Sequence, residues 1–410
     1  MDAAQIDDSL YSRQRYVLGD DAMLRLKKSS VLIVGMGGVD LEIAKNVVLG
    51  GPKSVTVCDW KLLGVNDLGT NFYVTESDIG RNRAELVVGK LQELNSNVTV
   101  ECQKVEPDDW NAIQSLVLRS DVVVVTEMDS KFNAQIDQTC RSQLTLIPFI
   151  CCDVRGVLGW LFCDFGPSFN VEVADSEEPI ELAITDISQS NRGVVTLQKV
   201  LPFKVRRVVF KDVKGMVELN RTVHDIQERD SDQFEIGDTS AFSKYTGGGV
   251  AVEVKIPSSY CCESFAKQLA TPTISNCHDE CSATKRRRKE RIHHAIARIL
   301  MTSSAEDTAE TLIKRVESAL TENLQNLGKL TAEELAQVKQ ILACRKGCFA
   351  PLCSVIGGIA AQEVFKAVTH KFRPLNQWMF WDAVDVCPSS GNIEHSAKRY
   401  RKERLFVQKK

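Results

Sequence analysis

The segment "SSVLIVGMGGVDLEIAKNVVLGG", residues 29–51, constrains this chain more than any other. The run Val31–Val34 is apolar and β-branched, too short for a core helix, and stops at Gly35, Gly37 and Gly38. Beyond the glycines Leu41, Ala44 and Val48 recur at helical spacing. A buried strand, a glycine turn and an amphipathic helix in that order open a doubly wound α/β sheet. The sixth position of the Gly-x-Gly-x-x-Gly pattern normally holds a small residue that lets helix and strand approach, and here it is Asp40. A carboxylate there is also expected to repel phosphate, so the glycines are read as kept for the turn.

From Val31 to Gly166 such runs alternate with helical patterns: "SVTVCD", a helix near Arg83, "VTVEC", "DVVVVTE", a helix over "KFNAQIDQTCRSQ", "IPFICCDV" and "GWLFCDFG". This predicts a largely parallel sheet with crossover helices over 1–166. Residues 167–257 change to short strands and turns, the texture of a small inserted β-domain. Residues 258–345 are polar and helical and read as a bundle. Residues 346–388 return to an apolar helix and a closing strand, and 389–410 form a basic tail.

Composition limits the function. The 410 residues carry a formal charge of −3, which argues against bulk nucleic-acid binding. The acidic start "MDAAQIDDSLYSRQR" reads as neither signal peptide nor presequence, and no apolar run reaches the ~18 residues of a membrane span. Of the 14 cysteines, Cys58, Cys102, Cys151, Cys152 and Cys163 fall in expected strands, as reduced core thiols do. Cys277 and Cys281 in "CHDEC" lack the second pair that a zinc site needs. "KRRRKERIHH" holds Lys285–Lys289, a solvated helix face or an import signal, and its adjacent His293 and His294 point to different sides of a helix. Trp378, Phe380 and Trp381 read as core or an interdomain face.

"LYSRQRYVLGDDAM", "EIAKNVVLGG", "DLGTNFYVTESDIGRNRAE", "LFCDFG", "GGGVAVEVKIP", "GGIAAQEVFKAVTHKF" and "PLNQWMFWDA" occur in that order. Together they resemble the N-terminal half of ubiquitin-activating enzymes over about residues 8 to 387, with the alternative vertebrate-type branch the nearer pattern. The resemblance implies a Rossmann-like ThiF/MoeB adenylation fold, here an inactive copy. It is interrupted by the first catalytic-cysteine half-domain at 167–257 and by a four-helix bundle at 258–345. The active adenylation half of that family is not in this sequence, so a truncated form, or a partner chain supplying that half, is expected.

The resemblance also tests each chemical group. Asp59, about 20 residues past the loop, stands where the ribose acid belongs. Thr70 in "DLGTNF" stands where the active family has a phosphate-binding Arg, while Arg83 in "GRNRAE" lies near a nucleotide-binding Lys. In "TEMDSKFN" Glu127 or Asp129 can substitute for the magnesium Asp, and Phe132 falls near a usual Arg. Cys353 in "PLCS" imitates the thioester motif Pro-x-Cys-Thr but starts the returning scaffold helix. No metal and no nucleotide bound in cis are therefore expected; ATP and magnesium belong to an active partner domain. Arg13 in "LYSRQRYVLG" matches the arginine that crosses to the ATP phosphates of the opposite domain, with Arg15 beside it as the alternative. The implied partners are a catalytic adenylation half and ubiquitin or a ubiquitin-like protein, in the cytoplasm and nucleus. A binding-only protein that sequesters a modifier or a subunit is the alternative, and a self-sufficient nucleotide enzyme a third.

Overall fold

The computed structural model describes residues 7–173, 177–202, 204–273, 280–304, 306–323 and 329–383. Two compact units result: one runs through Phe169 and resumes over Tyr260–Thr369 and from Pro374, the other is Asn170–Ser259 with His370–Arg373.

The first unit begins with α1 (Asp8–Leu18), capped by the Asp7 carboxylate, and α2 (Asp20–Lys28). Then follow β1 (Ser30–Val34), α3 (Gly38–Gly50), β2 (Ser54–Cys58), α4 (Arg83–Leu94), β3 (Thr99–Gln103), α5 (Trp110–Leu118), β4 (Val122–Thr126) and α6 (Ser130–Arg141). The antiparallel pair β5 (Phe149–Arg155) and β6 (Leu158–Asp164) closes this stretch. Strands buried on both faces by crossover helices read as continuous apolar runs, which is why "SVLIV" and "VVVVT" lie at the centre. β1 sits between β2 and β4, all parallel, with Val31 opposite Val55 on one side and Val122 on the other. The sequence reading passed over α5; a parallel step from β3 to β4 needs a crossover, and Ile113, Leu116 and Val117 of this short helix supply its buried face.

The second unit carries short strands: β7 (Phe169–Val171), β8 (Glu181–Ile187), β9 (Val194–Leu197), β10 (Arg207–Lys211), β11 (Val223–Asp225), β12 (Gln227–Asp230), β13 (Gln233–Glu235), β14 (Val250–Glu253) and β15 (Ser258–Tyr260). The described strands form an antiparallel sheet in the order β11-β10-β14-β8-β9-β13-β12 over a core of its own, including Phe210, Phe234 and Val195. β7 and β15 pair with each other.

The helical segment comprises α7 (Phe265–Ala270), α8 (Glu280–Leu300), α9 (Ala309–Asn323) and α10 (Ala332–Cys344). Ile292, Ile296 and Ile299 of α8, Leu312 and Val316 of α9 and Ile341 of α10 join one apolar core with Val123, Phe149 and Phe162 of the sheet. The segment is therefore packed on the sheet within the first unit. Its basic run is largely tied up in ion pairs: Arg288 with Glu334 at 2.5 Å, Arg286 with Glu290 at 2.9 Å, Lys289 with Asp382 at 3.3 Å. His293 and His294 are buried, the first 3.4 Å from Asp382, the second edge-on to Trp378. Burial pushes His294 down to about 4. Among the described residues no cluster could hold a metal ion. Cys277, the Cys281 side chain and the tail 389–410 lie outside the described residues.

α11 (Ala350–Thr369) and β16 (Trp378–Asp382) complete the first unit, the strand pairing antiparallel to β6 at the sheet edge. α11 is the one described helix long and apolar enough to cross a membrane, although no such run was read from the sequence. It serves as a core helix, with Leu352, Ile356, Ala360 and Val364 buried against the fold. Trp378 is buried and stacks on Phe380, whereas Trp381 is 43% exposed.

A carboxyl pair ties α7 to α6. The Phe265 N–H donates to Asp137 at 2.9 Å, Arg141 pairs with Asp164, and both carboxyls are buried. Burial and then the facing Asp164 push Asp137 up to about 8. A carboxyl raised in the folded state costs stability progressively from the unfolded pKa, about 4, up to the folded one. Asp137→Asn keeps the shape and removes that cost, so it is expected to stabilise by on the order of 3 kcal/mol at pH 7. In urea melts the gain should vanish below pH 4 and level off above pH 8.

Candidate functional site

In an open parallel sheet the ligand crevice lies at the carboxyl ends of the strands where the order reverses. Here that point is between β1 and β4, with the glycine loop following one strand and Thr126 and Glu127 following the other. The three glycines face side chains of the same chain. Only Gly35 needs its conformation, at φ +118; the other two need space. A Cβ on Gly37 would lie 2.2 Å from Glu127 Oε1, and one on Gly38 would lie 2.5 Å from Thr70 Cβ. This corrects the reading that all three are kept for the turn.

Asp40 also differs from expectation. Its side chain turns back under the loop, accepts the Gly37 N–H at 2.9 Å and bonds the Thr126 hydroxyl. Full burial, then the neighbouring Glu127, raises its pKa well above the usual carboxylate range. Asp40 thereby caps α3, its carboxyl turned to its own loop and to Thr126.

The crevice floor is an ion network. Asn82 caps α4, accepting the Glu85 N–H at 3.0 Å, and so sets Arg83 in the first turn. A cation is unfavourable at a helix N-terminus. Carboxylates offset it: Arg83 Nε meets Asp59 at 2.7 Å, Nη1 meets Asp67 at 3.2 Å, and Nη2 meets Glu127 at 2.8 Å. Lys61 Nζ joins the same Glu127 oxygen at 2.9 Å. Burial alone would raise Glu127, but Arg83 and Lys61 outweigh it and hold the carboxyl down to about 2. Glu127 reaches this position from a left-handed backbone, φ +55.

The expected site residues are thus partly assembled. Gly35, Gly37, Gly38, Thr70, Asp59, Arg83 and Glu127 share one crevice, where Asp59 is fully buried and taken by Arg83 and the Lys61 N–H. Asp129 instead caps α6, accepting the Phe132 N–H at 2.8 Å. Sequence reasoning missed Lys61 and Asp67; their only signal is a position just past the carboxyl end of β2. Cys353 is buried in the first turn of α11.

Arg13 lies on α1. Tyr11, Gln14 and Leu18 form the inner face of α1: Tyr11 accepts from Asn95 at 2.7 Å and Gln14 donates to the Gly50 carbonyl at 2.9 Å. Arg15 pairs with Asp8 and Asp20. Arg13 is exposed and has no ion-pair partner among the described residues.

This arrangement, a reversed-order sheet with an inserted β-unit and a helical segment, coincides with a family model, ThiF family, matched over residues 11–385. The chain belongs to the ThiF family. It is similar to ubiquitin-like modifier-activating enzyme 6 of Homo sapiens, 38% identical over 403 residues that cover 96% of this chain and 38% of that protein. Ubiquitin-like modifier-activating enzyme 1 of Oryctolagus cuniculus is 35% identical over 401 residues, covering 94% and 36%. Ubiquitin-like modifier-activating enzyme 7 of Homo sapiens is 34% identical over 414 residues, covering 96% and 39%. This ThiF-family chain therefore spans under two-fifths of the length of these relatives.

Proposed function

We propose that this chain is the non-catalytic half of a ubiquitin-activating assembly. It supports ATP-dependent adenylation and thioester transfer of ubiquitin or a ubiquitin-like modifier without binding nucleotide itself. The observation that carries this reading is the filled crevice. Glu127 covers Gly37 and Thr70 covers Gly38, where a phosphate would need open backbone N–H groups. The cations Lys61 and Arg83 there are engaged by carboxylates. A triphosphate does not fit these residues, and a half-empty ion network would be the cost of admitting one.

ATP and magnesium then belong to a catalytic adenylation half, on which Arg13 acts from its exposed helix. The modifier and that half are the proposed partners, in cytoplasm and nucleus. The test is ATP-pyrophosphate exchange with a panel of ubiquitin-like proteins. The isolated chain should give none, and Asp40→Gly should not restore it, since the lost groups act as a unit. Adding a catalytic half should produce exchange. Exchange by the isolated chain would overturn the reading, and binding of the catalytic half with no activity would leave a sequestering protein.

A further inference from the structure

Beside α11 lies a pair of thiols that the adenylation reading does not use. The loop before this helix is laid flat on the turn between β5 and β6: Gly156 N–H donates to the Gly347 carbonyl at 2.8 Å, and Gly156 bridges Cys348. A Cβ on Gly156 would lie 2.4 Å from the Cys344 carbonyl oxygen, so the two backbones approach closely there. Cys348 is thereby held two residues ahead of a 20-residue helix and is exposed. Cys353 is buried in the first turn, its N–H donating to the Phe349 carbonyl at 3.0 Å. The two sulfurs are 3.2 Å apart.

We propose that Cys348 and Cys353 form a reversible dithiol/disulfide site, oxidised by a small-molecule disulfide of the glutathione class. The exposed Cys348 thiolate attacks one sulfur of the oxidant, forming a mixed disulfide and expelling one glutathione thiolate. Cys353 then attacks Cys348 Sγ; its proton goes to the second glutathione as that leaves. The protein loses two hydrogens and two electrons, and one oxidised glutathione becomes two reduced ones. The order of attack follows from the geometry, since only Cys348 is open to solvent.

Electrostatics agree with that order. The hydrogen bond shared with Cys353 lowers the Cys348 thiol against the opposing effect of burial, and Arg155 favours its thiolate as well. The same hydrogen bond, with burial, raises Cys353. The product staples the 344–348 loop to the helix that packs on α3 through Gly357, whose Cβ would lie 2.6 Å from Glu42 Cβ.

The test is equilibration of the full chain in glutathione redox buffers, followed by alkylation and peptide mass mapping. The wild type should yield a Cys348-Cys353 linked peptide that dithiothreitol reverses. Cys353→Ser should accumulate glutathione on Cys348, and Cys353→Ala should do the same without burying a hydroxyl. Cys348→Ser should leave Cys353 unmodified. A mixed disulfide persisting on Cys348 in the wild type, a link from Cys348 to Cys344, or two free thiols in the most oxidising buffer would overturn the proposal.

Discussion

Arg13→Ala, in a complex reconstituted with a saturating catalytic half, is expected to slow adenylate formation by about tenfold to a thousandfold. The residue has what a reaching cation needs: an exposed side chain without an ion pair among the described residues, on a helix whose opposite face is anchored through Tyr11 and Gln14. An arginine that neutralises phosphate oxygens as charge develops acts only in the transition state, so the rate falls while assembly is little changed. The effect stays below the range of a GTPase finger because other cations share the charge. Arg15→Ala should be nearly silent in this assay, since Arg15 serves Asp8 and Asp20 within its own chain. Arg13→Lys should recover part of the rate, as a point charge cannot repeat bidentate contacts. Single-turnover adenylation measures this, and an unchanged rate in Arg13→Ala would leave the chain as scaffold only.

The second large effect is on stability. Arg83→Met removes the cation at the centre of the crevice and leaves Asp59, fully buried, with no charged partner, and Glu127 with Lys61 alone. Breaking a buried ion network by deleting one member costs about 3–5 kcal/mol, because an uncompensated charge stays behind. Urea unfolding should show the midpoint fall with the slope preserved. Adding Glu127→Gln to Arg83→Met should cost less than the two single changes summed, since the pair is directly coupled. Additive losses would mean that the contacts contribute independently and that the network is not a unit. An Arg83→Met variant as stable as the parent would remove the physical basis for a crevice closed by its own side chains.

Most of the framework was legible because short-range rules suffice for it. Val31–Val34 and Val122–Val125 are continuous apolar runs, and such runs belong to strands covered on both faces. The caps were not read: Asn82 and Asp129 each close the first turn of a helix, and Asp129 had stood in the sequence as a candidate magnesium ligand. α5 escaped because a short helix offers barely one turn of repeat beyond its nucleus. The pattern of the helical segment reports which faces are apolar, not that they share a core with the sheet.

The sequence by itself therefore determined the largely parallel sheet, most of its crossovers, the presence of a glycine turn and the departures from the glycine-loop pattern at Asp40 and Thr70. Only the tertiary structure decided what those positions do. Asp40 and Thr126 are 86 residues apart, and Arg83 and Glu127 are 44 apart. Which way each carboxyl shifts depends on the partners brought to it: the same crevice raises the pKa of Asp40 and lowers that of Glu127, because burial prevails at the first and the Arg83 and Lys61 cations outweigh it at the second. A residue's charge state is set by its neighbours in space, and no spacing along the chain encodes them.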